Sequence, residues 1–313
     1  TGKSKLTSMG RSTRTAVLQL CATPVVEENL ATAERLSRAA ASDGAEVVLW
    51  PEAFAFLGPE AAKVGILEPL PEAPDRSGPK NGWPIEFTPG PILARCVSLA
   101  RELGIHLVLG GFHERGEGEG RNRNTCVHLA PDGGLLALYR KLHLFDIDLA
   151  DGTRLRESAR TDAGDTAITT DLPFGMLGLS ICYDLRFPYL YQRLVDLGAI
   201  ALTAPSAFTA TTGAAHWEVL LRARAIECQS YMLAPAQYGA HWGSRRSHGH
   251  AMIVDPWGRI LDECPGGDGF AIADIDPERV AEVRRELPSL SHRRQSAGGA
   301  FFAPATRHPP TDH

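Results

Sequence analysis

Apolar positions recur along the chain in two rhythms: short alternating or continuous runs that predict buried strands, and i, i+3, i+4 patterns that predict amphipathic helices. Residues 17–21 read as a first strand. A helix follows over about 27–42, with Leu30, Ala33, Leu36 and Ala40 on one face and Asp43-Gly44 as its stop. Val47-Val48-Leu49-Trp50 is a second buried strand, and it delivers Pro51-Glu52. Residues 58–90 are rich in Pro, Gly and acids and read as a long surface excursion, a lid or rim rather than a core element. Gly90-Pro91 opens a helix that turns Leu93, Cys96, Val97, Ala100 and Leu103 inward and ends at Gly104. A third strand spans 105–109. Strands 125–129 and 135–139 flank the turn Pro131-Asp132-Gly133-Gly134, and the second arm ends in Arg140-Lys141.

From 176 the order repeats: strand 176–182, helix 189–197, strand 199–204, helix 214–228, strand 231–236, then strands 249–255 and 259–263 around Pro256-Trp257-Gly258. Each half runs strand, helix, strand, helix, strand, strand, strand. Two similar halves are best satisfied by two mixed sheets packed face to face with helices outside, an α/β fold of α-β-β-α sandwich type with pseudo-symmetric halves. A last helix covers 277–287. The expected organisation is one domain over 15–293. Residues 1–14, basic and rich in Ser and Thr, form a frayed end or the remnant of a targeting or cloning-derived leader, and 294–313 an extended Pro-rich tail.

Composition narrows the function classes. The 313-residue chain is 43% hydrophobic and 22% charged with a net charge of −5, which gives no basic surface for a polyanion and argues against nucleic acid. No apolar run is long enough to cross a bilayer, so no membrane association is expected. Six widely spaced cysteines without a Cys-x-x-Cys make neither a disulfide framework nor a zinc site, and suit a reducing compartment, cytoplasm or mitochondrion.

The stretch Met176-Leu177-Gly178-Leu179-Ser180-Ile181-Cys182 places Cys182 at the C-terminal end of a buried strand, facing the start of a helix. A helix N-terminus favours a thiolate, although an unpaired cysteine is more often a small buried hydrophobe. Glu52 and Lys141 also follow the ends of buried strands, where α/β sheets bind ligands; singly they read as a cap and a solvated strand end. Together the three supply what carbonyl hydrolysis needs: a nucleophile, a proton carrier and a cation for the oxyanion. A metal-dependent hydrolase would rest on His248 and His250, which lack a His-Glu-x-x-His partner set. No cofactor is expected.

Three segments, Leu49-Trp50-Pro51-Glu52-Ala53-Phe54, Tyr139-Arg140-Lys141-Leu142-His143-Leu144-Phe145-Asp146 and Ile181-Cys182-Tyr183-Asp184-Leu185-Arg186-Phe187-Pro188, resemble the motifs of the nitrilase superfamily of carbon–nitrogen hydrolases. That resemblance implies a nitrilase-like sandwich and a triad of Glu52 as general base and acid, Lys141 as oxyanion stabiliser and Cys182 as nucleophile, with Glu157 as a supporting carboxylate. Gly110-Gly111-Phe112-His113-Glu114-Arg115-Gly116, Pro205-Ser206-Ala207-Phe208, the segment from Ala215 to Glu227 and the stretch Leu287-Pro288 to Arg294 are most similar to the Nit branch. The branch implies hydrolysis of deaminated glutathione to 2-oxoglutarate and cysteinylglycine, a metabolite repair, with 2-oxoglutaramate as the alternative substrate. Tyr183, Ser206 and Phe208 are then expected to wall the pocket, with Arg186 meeting a substrate carboxylate; Arg222, Arg224, Arg245 and Arg246 are further candidates, Arg222 the weakest because Glu218 stands four residues before it. The excursion at 58–90 and the segment 150–154 depart from the family's pattern and touch the pocket rim. The resemblance further implies a homodimer or homotetramer joined through the helix after Cys182, to which Tyr189, Leu190, Tyr191 and Leu194 would contribute, and leaves a non-catalytic interaction protein as a reading of another class.

Overall fold

The computed structural model describes residues 10–74, 82–84, 86–148 and 154–294. The basic segment through residue 9, parts of the 58–90 excursion, residues 150–153 and the tail beyond 294 lie outside these. In the first half the elements are β1 (Thr13–Leu20), α1 (Val26–Ser42), β2 (Val47–Trp50), the short α2 (Glu60–Lys63), α3 (Pro91–Leu103), β3 (His106–Arg115), β4 (Asn122–Leu129) and β5 (Leu135–Arg140). A two-stranded ribbon, β6 (Asp146–Asp148) and β7 (Arg154–Arg156), leads to the second half. The second half comprises β8 (Thr169–Leu172), β9 (Gly175–Gly178), α4 (Pro188–Asp196), β10 (Ala201–Thr203), α5 (Ala210–Cys228), β11 (Tyr231–Ala234), β12 (Ala236–Trp242), β13 (Arg245–His248), β14 (Ala251–Val254), β15 (Ile260–Cys264), β16 (Gly269–Ile275) and α6 (Pro277–Glu286).

Two sheets result. One has the order β13-β12-β1-β2-β3-β4-β5, with β16 also paired to β1; the other runs β15-β14-β11-β10-β9-β8. Both contain parallel and antiparallel pairs. The alternation of side chains explains the layers. On the first sheet Ala16, Leu18, Val48, Trp50, Leu107 and Leu109 pack against α1 and α3, whereas Val17, Val47, Leu49 and Val108 face the second sheet. The far side of that second sheet is covered by Leu190, Leu194, Trp217 and Leu221 of α4 and α5. Strands apolar on both faces therefore lie in the middle, and the α-β-β-α sandwich expected from the repeat is the observed architecture.

Four expectations change. Part of the 58–90 excursion belongs to the core: Leu67 and Trp83 are buried, and the Trp83 indole donates to Gly133 O at 2.9 Å and stacks on Phe87. The region expected as one strand over 231–236 is two, because Pro235 lets the chain leave the second sheet after β11 and enter the first as β12 beside β1. And the strand expected to reach 182 pairs only as far as Gly178. Leu190, Tyr191 and Leu194 turn into the core and leave only Tyr189 of that expected contact face exposed. α5 instead shows Val219 and Ile226 outward.

Candidate active site

Glu52 is held by backbone geometry that its neighbours dictate. Ala53 sits at φ +56° with its N–H on Gly111 O (3.1 Å), and a Cβ on Gly111 would lie 2.8 Å from Glu52 Cα, so the close approach of β3 requires glycine there. The main-chain carbonyl of Glu52 accepts from Gln237 Nε2 at 3.0 Å. Its buried carboxylate is shared out: Oε1 accepts from Lys141 Nζ (3.0 Å) and Asn124 Nδ2 (2.9 Å), and Oε2 from the N–H of Ala207 (2.8 Å).

Lys141 follows β5, and its N–H donates to Asn124 O on β4 at 2.9 Å. Its ammonium is buried between Glu52 and Glu157, with Glu157 Oε2 at 2.9 Å and Oε1 at 3.2 Å. Glu157 is set in turn by Asn124 Nδ2 (3.2 Å) and the N–H of Phe145 (2.6 Å).

Cys182 adopts φ +49°, a strained elbow for a non-glycine residue, with its N–H donating to Pro205 O at 3.0 Å. The elbow leads into a single 3₁₀ turn, Cys182–Arg186; α4 begins only at Pro188, so the thiol does not face a helix N-terminus as expected. Asp184 ties this elbow to the lysine segment. Its carboxylate accepts from Ile181 N (2.8 Å) and Tyr139 Oη (2.7 Å) on one oxygen, and from His143 N (3.0 Å) and Nδ1 (2.7 Å) on the other.

Burial drives the Cys182 thiol well above its ordinary pKa, and the charge of Glu52 adds to this against the opposing pull of Lys141. Burial works against the Glu52 carboxylate too, but the Lys141 charge and the hydrogen bonds from Lys141 and Ala207 outweigh it and hold the group below its ordinary value. For Lys141, the loss of solvent is overcome by Glu157, Glu52 and more distant acids, so the ammonium stays protonated. At neutral pH the site therefore contains a protonated thiol, a carboxylate and a permanent cation side by side. The thiol needs Glu52 as proton acceptor to become a nucleophile.

Beside Cys182 lies a narrow cleft lined by Phe145, Tyr183, Arg186, Phe208 and Thr212, among others. The Arg186 guanidinium lies 5.1 Å from the Phe208 ring centroid and 6.0 Å from that of Tyr183, and it meets His216 Nδ1 at 3.2 Å. Among the described residues it pairs with no carboxylate. Arg222 and Arg224 pair instead with Glu218 (3.1 Å) and Glu227 (2.7 Å), and Arg245 donates to Ala207 O.

The structure thus brings Glu52, Lys141, Cys182 and Glu157 together and puts Tyr183, Arg186 and Phe208 on the cleft wall. Ser206 is corrected: it is fully buried behind the wall, because its backbone bonds to Pro235 O and the N–H of Gln237 and its hydroxyl donates back to Ala204 O at 2.9 Å. Sequence reasoning missed Asn124, Phe145, Thr209 and Thr212. Asn124 lies one residue before the predicted 125–129 strand, and its place opposite Lys141 is the only local signal it offered.

The chain belongs to the carbon-nitrogen hydrolase family, whose model matches residues 14–285, and is a hydrolase of carbon–nitrogen bonds. It is 43% identical over 281 residues to a protein of Synechocystis sp. named deaminated glutathione amidase, a match that covers 89% of this chain and 97% of that one. To the mouse protein of the same name it is 43% identical over 293 residues, 92% of this chain and 85% of the other. Among solved structures, the NitFhit protein of C. elegans matches with a TM-score of 0.80 at 38% identity, covering 91% of this chain and 66% of NitFhit, so the chain spans just under two thirds of that protein's length.

Proposed function

We propose that the protein is a cysteine-dependent amidase that hydrolyses deaminated glutathione to 2-oxoglutarate and cysteinylglycine through a thioester, with Glu52, Lys141 and Cys182 as its triad. The observation that carries the reading is the buried Glu52 carboxylate set between the Lys141 ammonium, 3.0 Å from its Oε1, and the Cys182 thiol, on which its charge acts. Glu52 takes the thiol proton as sulfur attacks the amide carbonyl. Lys141 and the N–H of Tyr183 receive the oxyanion, and Glu52 returns the proton to the departing amine. A water deprotonated by Glu52 then cleaves the thioester. Glu157 holds Lys141 in place and charged throughout.

Arg186 supports an anionic acyl group: a guanidinium stacked on two aromatic rings in the cleft, with no acid partner among the described residues, suits the 2-oxo acid end of the substrate. The catalytic unit in this reading is 15–293. A homo-oligomer would use the exposed Val219 and Ile226, which share one face of α5, since exposed large apolar side chains are better served by a partner than by solvent. No helix among the described residues is long and apolar enough to cross a membrane.

A second reading, hydrolysis of 2-oxoglutaramate with ammonia as leaving group, draws on the narrowness of the cleft. Both are tested by measuring product release from the two amides side by side, with Cys182→Ala as control. Preference for deaminated glutathione that vanishes in the variant is expected. Preference for 2-oxoglutaramate would shift the substrate and keep the chemistry, whereas full turnover by Cys182→Ala would overturn the mechanism.

A further inference from the structure

Two carboxylates share one ammonium at the centre of the site, and a neutral side chain completes the arrangement. Asn124 Nδ2 carries two protons, and both are spent: one on Glu52 Oε1 at 2.9 Å, the other on Glu157 Oε1 at 3.2 Å. Its Oδ1 is buried and accepts no hydrogen bond from a described residue, so the amide is oriented by the two carboxylates and not from its other end. Turned over, it would set its carbonyl against two anions. The same residue fixes the lysine, because Lys141 N–H donates to Asn124 O.

We propose that Asn124 is a positioning residue that selects which oxygen of Glu52 acts as the base and keeps that carboxylate ionised beside Glu157. The inference rests on the role proposed for Glu52 as general base. Oε1 is filled by Lys141 and Asn124, which leaves Oε2, held by the Ala207 N–H, to receive the thiol proton. Two carboxylates around one cation would otherwise push one of them toward the neutral acid, and a neutral donor prevents this without adding a proton that could itself be lost. The charged or titratable groups facing Glu52 are Lys141 after β5, Cys182 on the elbow, Glu157 through Lys141, and His113 of β3. Burial holds His113 neutral, its pKa lowered to about 4, so it offers no replacement cation at working pH.

The test measures kcat and KM for deaminated glutathione, and independently the rate of Cys182 alkylation by iodoacetamide located by mass spectrometry, both across pH. The proteins are the unaltered chain, Asn124→Ala, the isosteric Asn124→Asp and Glu52→Gln. In Asn124→Ala, kcat should fall roughly 10- to 100-fold with KM nearly unchanged, and the acid limb of both profiles should move up by about one pH unit, the effect of one lost hydrogen bond to a charged group. Asn124→Asp keeps the shape and adds a third acid, so its acid limb should move further up. Thermal unfolding checks that each variant is folded. Loss of activity with both acid limbs unmoved would make Asn124 merely structural and overturn the proposal. Should Glu52→Gln alkylate and turn over like the unaltered chain, the role of Glu52 itself fails, and this inference with it.

Discussion

Lys141 has nowhere to place its charge except between Glu52 and Glu157, and a buried charge is tolerated only with such partners. Replacing it with Met leaves two carboxylates without their cation. We expect turnover to vanish and stability to drop by about 3–5 kcal/mol, as when one member of a buried pair is removed, measured by urea unfolding. Glu157→Gln is gentler. It keeps the shape and one of the two donors, from Phe145 on Oε2 or Asn124 on Oε1, but sets an NH2 group against the other and takes one anion from the lysine, so kcat should fall about 100-fold in steady-state assays while the fold holds. An unchanged kcat would reduce Glu157 to scaffold. Glu52, Lys141, Cys182 and Glu157 were legible because each stands in a recognisable local stretch. Asn124 was not, since its meaning arises only when β4 pairs with β5 and brings it beside two acids distant in sequence. Ser206 shows the reverse error: sequence proximity to Phe208 does not make a wall residue when the side chain is buried and its hydroxyl bonds back to Ala204 O.

At the scale of elements, the start of α3 depends on a residue outside it. Glu68, from the excursion, accepts from Ile92 N (2.6 Å) and Leu93 N (3.0 Å) with its two carboxylate oxygens, and its backbone pairs with His113 and Arg115 of β3. A carboxylate at a helix N-terminus satisfies orphan N–H groups and complements the helix dipole. Glu68→Ala should therefore lower stability by about 1–2 kcal/mol in thermal unfolding. Gly90→Ala should act in the same direction, because a Cβ there would lie 2.4 Å from the Glu68 carboxyl carbon. A Glu68→Ala protein as stable as the original would show that solvent caps the helix equally well. This is also why the excursion could not be read as core: the cap lies more than twenty residues before its helix, and Trp83 finds its partner at Gly133, fifty residues on. The five longer helices and the strands buried on both faces were legible from periodicity, whereas the short α2 within the excursion was not. The crossing of β12 into the first sheet was not, since one proline between two apolar runs does not say which sheet the chain enters next.

Taken whole, the sandwich hides histidines that have no room for a second proton. His113 Nε2 donates to Phe56 O at 2.9 Å, and His241 lies between Ala22 O and Ser247 Oγ, both 2.8 Å away. His128 of β4 reaches across to Thr170 of β8 at 2.8 Å and so joins the two sheets. Burial lowers the pKa of all three, to about 4 for His113 and His241 and well below the ordinary value for His128. The unfolded chain binds these protons near pH 6.5 and the folded chain does not, so stability is complete above that pH and declines as pH falls toward 4. Below about pH 4.5 Glu52 adds to the loss, because its folded pKa is depressed and its stabilisation disappears as it becomes protonated. His113 alone should account for roughly 3 kcal/mol at pH 4. Urea unfolding of the unaltered chain and of His113→Gln, from pH 7.5 to 4.5, should give a shallower pH slope in the variant, with the difference growing below pH 6.5. Parallel slopes would mean that His113 takes up its proton without unfolding. The sheet-to-sheet bond from His128 would then be the next group to replace, because burial opposes its second proton too and it bridges the layers that hold Glu52, Lys141 and Cys182 together.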